Sequence, residues 1–471
     1  MVSFERLPIE SSQVASLTDR IYLHSPKPVQ HLLVSLKGLQ LERQRRQGQY
    51  HEFLSEIRLR NHFSRAEFAD YQLQRLRTVL LLAERSVPYY QESFARTGVK
   101  AANLVSLADL ARFPLLPKDQ VRARSAEMVP TDLDRRRLLR LNTTGTTGSP
   151  MTIYSNHRAR QENYAHFDNF LELAGIDPRA RRAVFGGRIL QPGDDRRPPF
   201  WRRNLFQNAW LFSSYHMLEE TLPLYLEALR AFRPDVLEGY PSSLYRLASY
   251  LLANRTTFPV RGVITSSETL LEHQREAMER AFGCQITDQY GAAEMCVFAG
   301  QCARGRYHVR SDYGIVEILQ DGEAAAPGED GEVVCTGFIN LAMPLIRYQI
   351  GDIARWARDA CDCGIDTPLL ETIAGRRDDV VVTPEGSRVG RLSPVLKGFP
   401  VREAQYVQDA EGRLTVLLVP DKGFSDAMFA GLEGELRKRV GPTIPVSFRI
   451  VEGIPRGPGG KFRAVISSYR S

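Results

Sequence analysis

The chain of 471 residues is long enough for a large buried core and for more than one domain. Its 43% hydrophobic and 25% charged residues are the balance of a soluble globular protein, and no stretch approaches the roughly 18 apolar residues of a membrane span. The 62 basic and 55 acidic residues leave +7 spread along the chain, which argues for solvated charged faces and against a nucleic-acid partner.

The opening MVSFERLPIESS lacks the basic start and apolar run of a signal peptide, so the expected address is the cytoplasm. Residues 1–75 read as a helical extension packed on a large domain. In VQHLLVSLKGLQLERQRRQG (29–48), Leu32, Leu33, Leu36, Leu39 and Leu41 recur near helical spacing. This stripe is expected to pack against the protein body rather than lie on a membrane surface. A second helix near 66–86 ends at SVPYY, where Pro88 stops it. Between about 180 and 290, strands such as RAVFGG and CQITDQYG alternate with helices such as LEHQREAMERAFG, the rhythm of a sheet covered by helices. Ligands in such folds sit at the C-terminal ends of strands, where GYPSS, SSE and QYGAAE all fall. Residues 313–375 are β-rich. From about 380, hairpins at VVVTPEGSRV and AQYVQDAEGRLTVLLVP, a helix (425–440) and the strands VSFRIV and FRAVIS predict a compact α+β domain. The expected fold is thus α/β: a large domain over 76–377 with a β-rich subdomain, and a small mobile α+β domain over 378–471.

LNTTGTTGSPM (141–151) has glycines that let the backbone turn amides toward an anion and threonines that add hydroxyl donors. Its spacing is not that of a Walker A loop, and alone it reads equally as a polar turn between strands. QYGAAE (289–294) combines a ring that can stack on a base, a tight glycine turn at Gly291 and a carboxylate able to hold Mg²⁺. RYQIGD (347–352) ends in an Asp that can accept from two ribose hydroxyls. GRRDD (375–379) opens the small domain, and IPRGPGGKFR (454–463) carries Lys461 on a glycine-rich loop. Only eight of the basic residues are lysines, so a lysine in such a setting stands out.

The order of these motifs resembles the AMP-forming adenylate-forming ligases, acyl-CoA synthetases among them, and within them the branch of phenylacetate-CoA ligases and CapK-type proteins. SVPYY, FPLLPK (113–118), GYPSSLYRLA, TSSETL, RYQIGDI and the C-terminal GGK carry the resemblance, from about residue 20 to 469. It implies that Thr143, Thr144, Gly145, Thr146, Thr147 and Gly148 bind the β- and γ-phosphates of ATP. Tyr290, with Gly291 behind it, would stack near the adenine, with Ser267 and Glu268 beside the base. Glu294 would hold Mg²⁺, Asp352 would anchor the ribose and Arg376 would contact ribose or phosphate. Asp378 would be the hinge between domains, and Lys461 would bridge the carboxylate and the α-phosphate. Two positions depart from the family pattern: Met151, where many members have Lys after the proline, and Ala293, where a hydroxyl residue is usual.

Cys302, His308, Cys361 and Cys363 have the composition of a closed structural zinc site, although the CxC spacing alone reads equally as buried free thiols. The resemblance to the phenylacetate-ligase branch, where a similar Cys…His…CxC arrangement looks like a zinc site, points to Zn²⁺. The expected function is an ATP-dependent ligase that forms an acyl-adenylate from a small carboxylic acid and transfers the acyl group to coenzyme A or to an amine. An amide-forming ligase and an inactive nucleotide-binding scaffold are the alternatives. The acyl pocket is expected around 185–192, 210–217 and 239–243, and the aromatic residues there suggest an aryl or medium apolar acid. A homodimer stays open.

Overall fold

The computed structural model describes residues 17–143, 151–192, 195–376, 381–384, 388–389, 392–396, 398–421, 423–457 and 461–469. One sheet of 13 strands runs through the body. Five of its strands, Arg182–Gly186, Ala209–Ser213, Val236–Gly239, Gly262–Ser266 and Ile286–Gly291, are parallel, and Trp201–Asn204 closes their outer edge antiparallel. The helices Leu222–Phe232, Pro241–Ala253 and Glu272–Phe282 join successive strands. These strands are buried on both faces and read as apolar runs (Val263 and Ile264 are in the core), as parallel strands must when helices cover them.

The β-rich stretch continues the same sheet. Phe298–Gln301 folds back antiparallel on Ile286–Gly291, and Tyr307–Val309 pairs with Leu369–Arg376. Beyond them lie Tyr348–Trp356, Asp330–Gly337 and Gly314–Gln320. Two very short strands therefore splice the parallel and antiparallel halves together. The FPLLPK segment straps across the antiparallel half: Leu116 N donates to Arg347 O at 2.9 Å and Gln349 N to Leu116 O at 2.9 Å.

The N-terminal helix Lys27–Arg46 packs on the edge strand Trp201–Asn204 with only part of the expected stripe turned inward. Its buried residues are Gln30, Ser35 and Gly38; Leu33, Leu39 and Leu41 are half-buried, and Leu32 and Leu36 face outward. The reason is the open edge of the sheet, which presents backbone groups that need partners. Arg203 N donates to His31 Nδ1 at 3.0 Å, Ser35 Oγ to Arg203 O at 3.2 Å, and Leu205 N to Ser35 Oγ at 3.2 Å. Gly38 sits where a Cβ would run into the side chain of Asn204, so a larger residue here would force that side chain to move. Helix Tyr50–Arg60 joins the body through charged groups: Arg60 Nε to Asp312 Oδ2 at 3.0 Å and Tyr50 OH to Asp168 Oδ2 at 2.6 Å.

The last part of the chain has its own core and a four-stranded sheet ordered Val446–Ile450, Leu414–Pro420, Val401–Gln408, Val465–Ser467, with helix Phe429–Val440 against it. The expected hairpins, helix and closing strands are all present. Asp378, expected as the hinge, lies outside the described residues.

Candidate active site

The C-terminal ends of Val236–Gly239, Gly262–Ser266 and Ile286–Gly291 open side by side, and three of the expected segments follow from them. Backbone strain marks this rim. Ser267 (φ 71°), Met295 (φ 57°) and Arg347 (φ 46°) adopt positive φ without being glycine, and each adjoins an expected site residue or its partner: Glu268, Glu294 and Tyr348. Arg347 is held there by Glu317 (2.8 Å) and by the carbonyls of Ala111 and Phe113 (2.8 Å each).

Two tyrosine–carboxylate pairs line the floor. Tyr290 OH donates to Asp352 Oδ2 at 2.8 Å, joining the end of the parallel half to the antiparallel strand Tyr348–Trp356. Tyr348 OH donates to Glu294 Oε1 at 3.1 Å. Burial, and then the neighbouring carboxylates, hold both phenols far above their ordinary range, so they stay donors. Arg376 lies directly across the ladder from Asp352. Gly291 ends its strand exposed, beside half-buried Tyr290. Of the threonine-glycine loop, Thr143 ends strand Leu139–Thr143, paired with Met151; Thr144, Gly145, Thr146, Thr147 and Gly148 lie outside the described residues. Met151 is fully buried among core residues, so the side chain at this position belongs to the interior.

Glu268 has a second task beyond the one expected beside a base. Its Oε2 accepts from Ser242 N at 3.1 Å, at the start of helix Pro241–Ala253, and its Oε1 accepts from Phe462 N at 2.6 Å. That bond ties the C-terminal part to the body next to Lys461. Burial raises the Glu268 carboxyl against the pull of these amides. Lys461 Nζ lies 5.9 Å from the centre of the Tyr240 ring, at the rim of the body. A further contact, Arg402 Nη1 to Glu219 Oε2 at 3.4 Å, is exposed and weak. Sequence reasoning did not single out Tyr348, the partner of Glu294, or Lys118, whose Nζ donates to Ile350 O at 2.9 Å two residues before Asp352. The scarcity of lysine was a usable signal for Lys118, whereas nothing distinguished Tyr348 from other tyrosines in strands.

The expected acyl segments converge in part. Ser214 Oγ donates to Gly186 O at 3.1 Å and Tyr215 OH to Gly187 O at 3.4 Å. Of the rings in these segments, Phe185 and Phe212 are stacked in the core with centroids 4.8 Å apart, whereas Tyr215 and Tyr240 are half-buried.

Away from this rim, Cys302, His308, Cys361 and Cys363 come together with ligand atoms within 4.8 Å of one another. Cys363 Sγ is 3.2 Å from His308 Nε2 and Cys302 Sγ 3.8 Å from Cys361 Sγ. His308 Nδ1 lies 3.1 Å from Thr367 Oγ1, which orients the ring so that Nε2 faces the thiols. Burial, then Arg306 and Arg310, push the imidazole down to about 4, so it is neutral, the ligating form. The cluster pins the Phe298–Gln301/Tyr307–Val309 hairpin to the loop before Leu369–Arg376, at the splice between the two halves of the sheet.

The fold is similar to that of 2-hydroxyisobutyryl-CoA ligase, solved in the postadenylation state with R3-HIB-AMP. It superposes with a TM-score of 0.70 at 21% identity, over 87% of this chain and 91% of that one. The fold is that of the adenylate-forming ligases. In sequence, the chain is similar to CapK and to the phenylacetate-CoA ligases. It is 28% identical over 458 residues to Protein CapK of Staphylococcus aureus, covering 96% of this chain and 99% of that one. It is 24% identical over 448 residues to phenylacetate-coenzyme A ligase of Thermus thermophilus, covering 84% and 95%. Residues 381–468 match the CapK C-terminal domain family.

Proposed function

We propose that the protein activates a small carboxylic acid with ATP as an acyl-adenylate and passes the acyl group to the thiol of coenzyme A. The observation that carries this reading is the placement of Lys461 at the rim by the bond from Phe462 N to Glu268, on the side of the body where Asp352 and Glu294 sit. A carboxylate attacking an α-phosphate brings two anions together, and a compact cation at the reacting oxygens offsets their repulsion. Asp352, oriented by Tyr290, accepts the ribose hydroxyls, with Arg376 across the ladder as the phosphate or ribose contact. Glu294 is a buried carboxylate whose Oε1 is engaged by Tyr348, a donor suited to Mg²⁺, which neutralises phosphate charge when bound. Thr143, Thr144, Gly145, Thr146, Thr147 and Gly148 hold the β- and γ-phosphates, and Ser267 flanks the base. After adenylation the small domain swings about Asp378, withdrawing Lys461 and admitting the acceptor.

The test is carboxylate-dependent exchange of labelled pyrophosphate into ATP over a panel of acids, followed by addition of coenzyme A or an amine. Exchange with an acid and thioester formation support the reading. Exchange followed by amide alone replaces the acceptor, and ATP binding without exchange for any acid leaves a scaffold. The four cysteine and histidine ligands have the Cys₃His composition of a structural Zn²⁺ site. Metal analysis of untagged protein is expected to find zinc, lost in Cys361→Ser/Cys363→Ser; zinc-free protein of unchanged Tm would remove the site.

A further inference from the structure

The helix Lys27–Arg46 turns polar and small residues inward because they satisfy the sheet edge, which leaves Val29, Leu32 and Leu36 in solvent while Leu33, Leu39 and Leu41 are half-buried. Leu32 is 58% and Leu36 49% exposed, with Val29 one turn before them. The stripe does not stand alone. The turn Leu205–Gln207 packs against the same helix, and within it Leu205 is 74% and Phe206 50% exposed. Single exposed leucines are ordinary, but exposed apolar side chains on two adjoining elements mark a contact surface.

Charge selects the occupant. Lys37 and Arg43 are exposed on the helix and Arg203 on the edge strand beside it. At the helix start, Lys27 Nζ is 3.6 Å from Asp195, which also pairs with exposed Arg197 at 2.9 Å, leaving two cations around one carboxylate. A second copy docking through this face by a two-fold axis would set these cations against their own counterparts. An anionic lipid surface accepts both features, apolar side chains at the acyl boundary and cations among the headgroups. No helix among the described residues is long and apolar enough to cross a membrane, so the contact is peripheral.

We infer that the outward face of helix Lys27–Arg46, with Leu205 and Phe206, docks the protein on an anionic membrane surface. This face is remote in sequence from every residue of the adenylate site and does not depend on the function proposed for that site.

The experiment is co-sedimentation of the full-length protein with vesicles of phosphatidylcholine and phosphatidylglycerol in equal parts, and with phosphatidylcholine alone. Binding is expected only to the anionic vesicles, weakening as salt rises. Leu32→Glu/Leu36→Glu and, separately, Lys37→Glu/Arg43→Glu are expected to lower the bound fraction about tenfold with Tm and pyrophosphate exchange unchanged. The inference is overturned by no vesicle binding, by variants that bind as well as wild type, or by a wild-type dimer that Leu32→Glu/Leu36→Glu splits while vesicles stay unbound.

Discussion

The body and the C-terminal part hold their charged groups in opposite ways. In the body, Asp352 and Glu294 are buried carboxylates, each fixed by a tyrosine on a different strand of one continuous sheet. The C-terminal part brings its lysine on an irregular loop, beside the bond from Phe462 N to Glu268 and with the exposed Arg402–Glu219 pair as a further contact to the body. Fixed anions suit binding, where geometry must persist, and a cation carried on a loop of another sheet suits a group needed in only one half of a reaction.

The largest break in this comparison comes from Lys461→Ala. Pyrophosphate exchange is expected to fall about 1,000-fold, with Tm unchanged because the side chain is not in the core, and Lys461→Arg is not expected to restore it. Next, Asp352→Ala removes the carboxylate proposed for the ribose. The KM for ATP is expected to rise about 10- to 100-fold, the equivalent of one or two charge-assisted hydrogen bonds; an unchanged KM would displace the nucleotide from this floor. Glu268→Gln keeps the shape but gives a weaker acceptor to Phe462 N. Exchange is expected to drop about tenfold with ATP affinity unaltered, and an equal loss in both would assign Glu268 to the base instead.

The smallest effect concerns the rigidity of the body. Glu162 is buried, its Oε2 has no hydrogen-bond partner among the described residues, with Arg158 Nη1 3.9 Å away, and burial lifts its carboxyl from 4.5 to about 7. Above pH 4.5 the unfolded chain releases this proton while the folded chain keeps it, so stability falls as pH rises and the loss is complete above about 7. Glu162→Gln removes that loss. It is expected to match wild type near pH 4.5 and to be more stable by about 2–3 kcal/mol at pH 8, measured by denaturant unfolding; equal stability at both pH values would contradict the burial cost.

Sequence pattern reached some levels of this structure and not others. The C-terminal elements were readable because they are local: Asp409 and Gly412 turn one hairpin, and helix Phe429–Val440 follows it. The continuity of the 13-stranded sheet was not, because its two halves meet through strands of four and three residues, Phe298–Gln301 and Tyr307–Val309, too short to show a period. The helix Lys27–Arg46 was placed correctly, but only part of its leucine stripe packs on the body, Leu32 and Leu36 being exposed. Periodicity finds a stripe, but the side that is buried was decided by the edge strand, through Gln30, Ser35 and Gly38. At the site, Tyr290, Glu294 and Asp352 were found by their motifs and do gather. The second role of Glu268 was invisible because its partner lies 194 residues away and the contact uses a backbone amide.

The central claim is that the cation for adenylation is delivered by the C-terminal loop while the body binds nucleotide without it. The direct measurement is ATP affinity by calorimetry set beside pyrophosphate exchange, both in Lys461→Ala. The account predicts an affinity within about threefold of wild type and exchange lost by about three orders of magnitude. Exchange that survives, or an ATP affinity that collapses with it, would contradict the account.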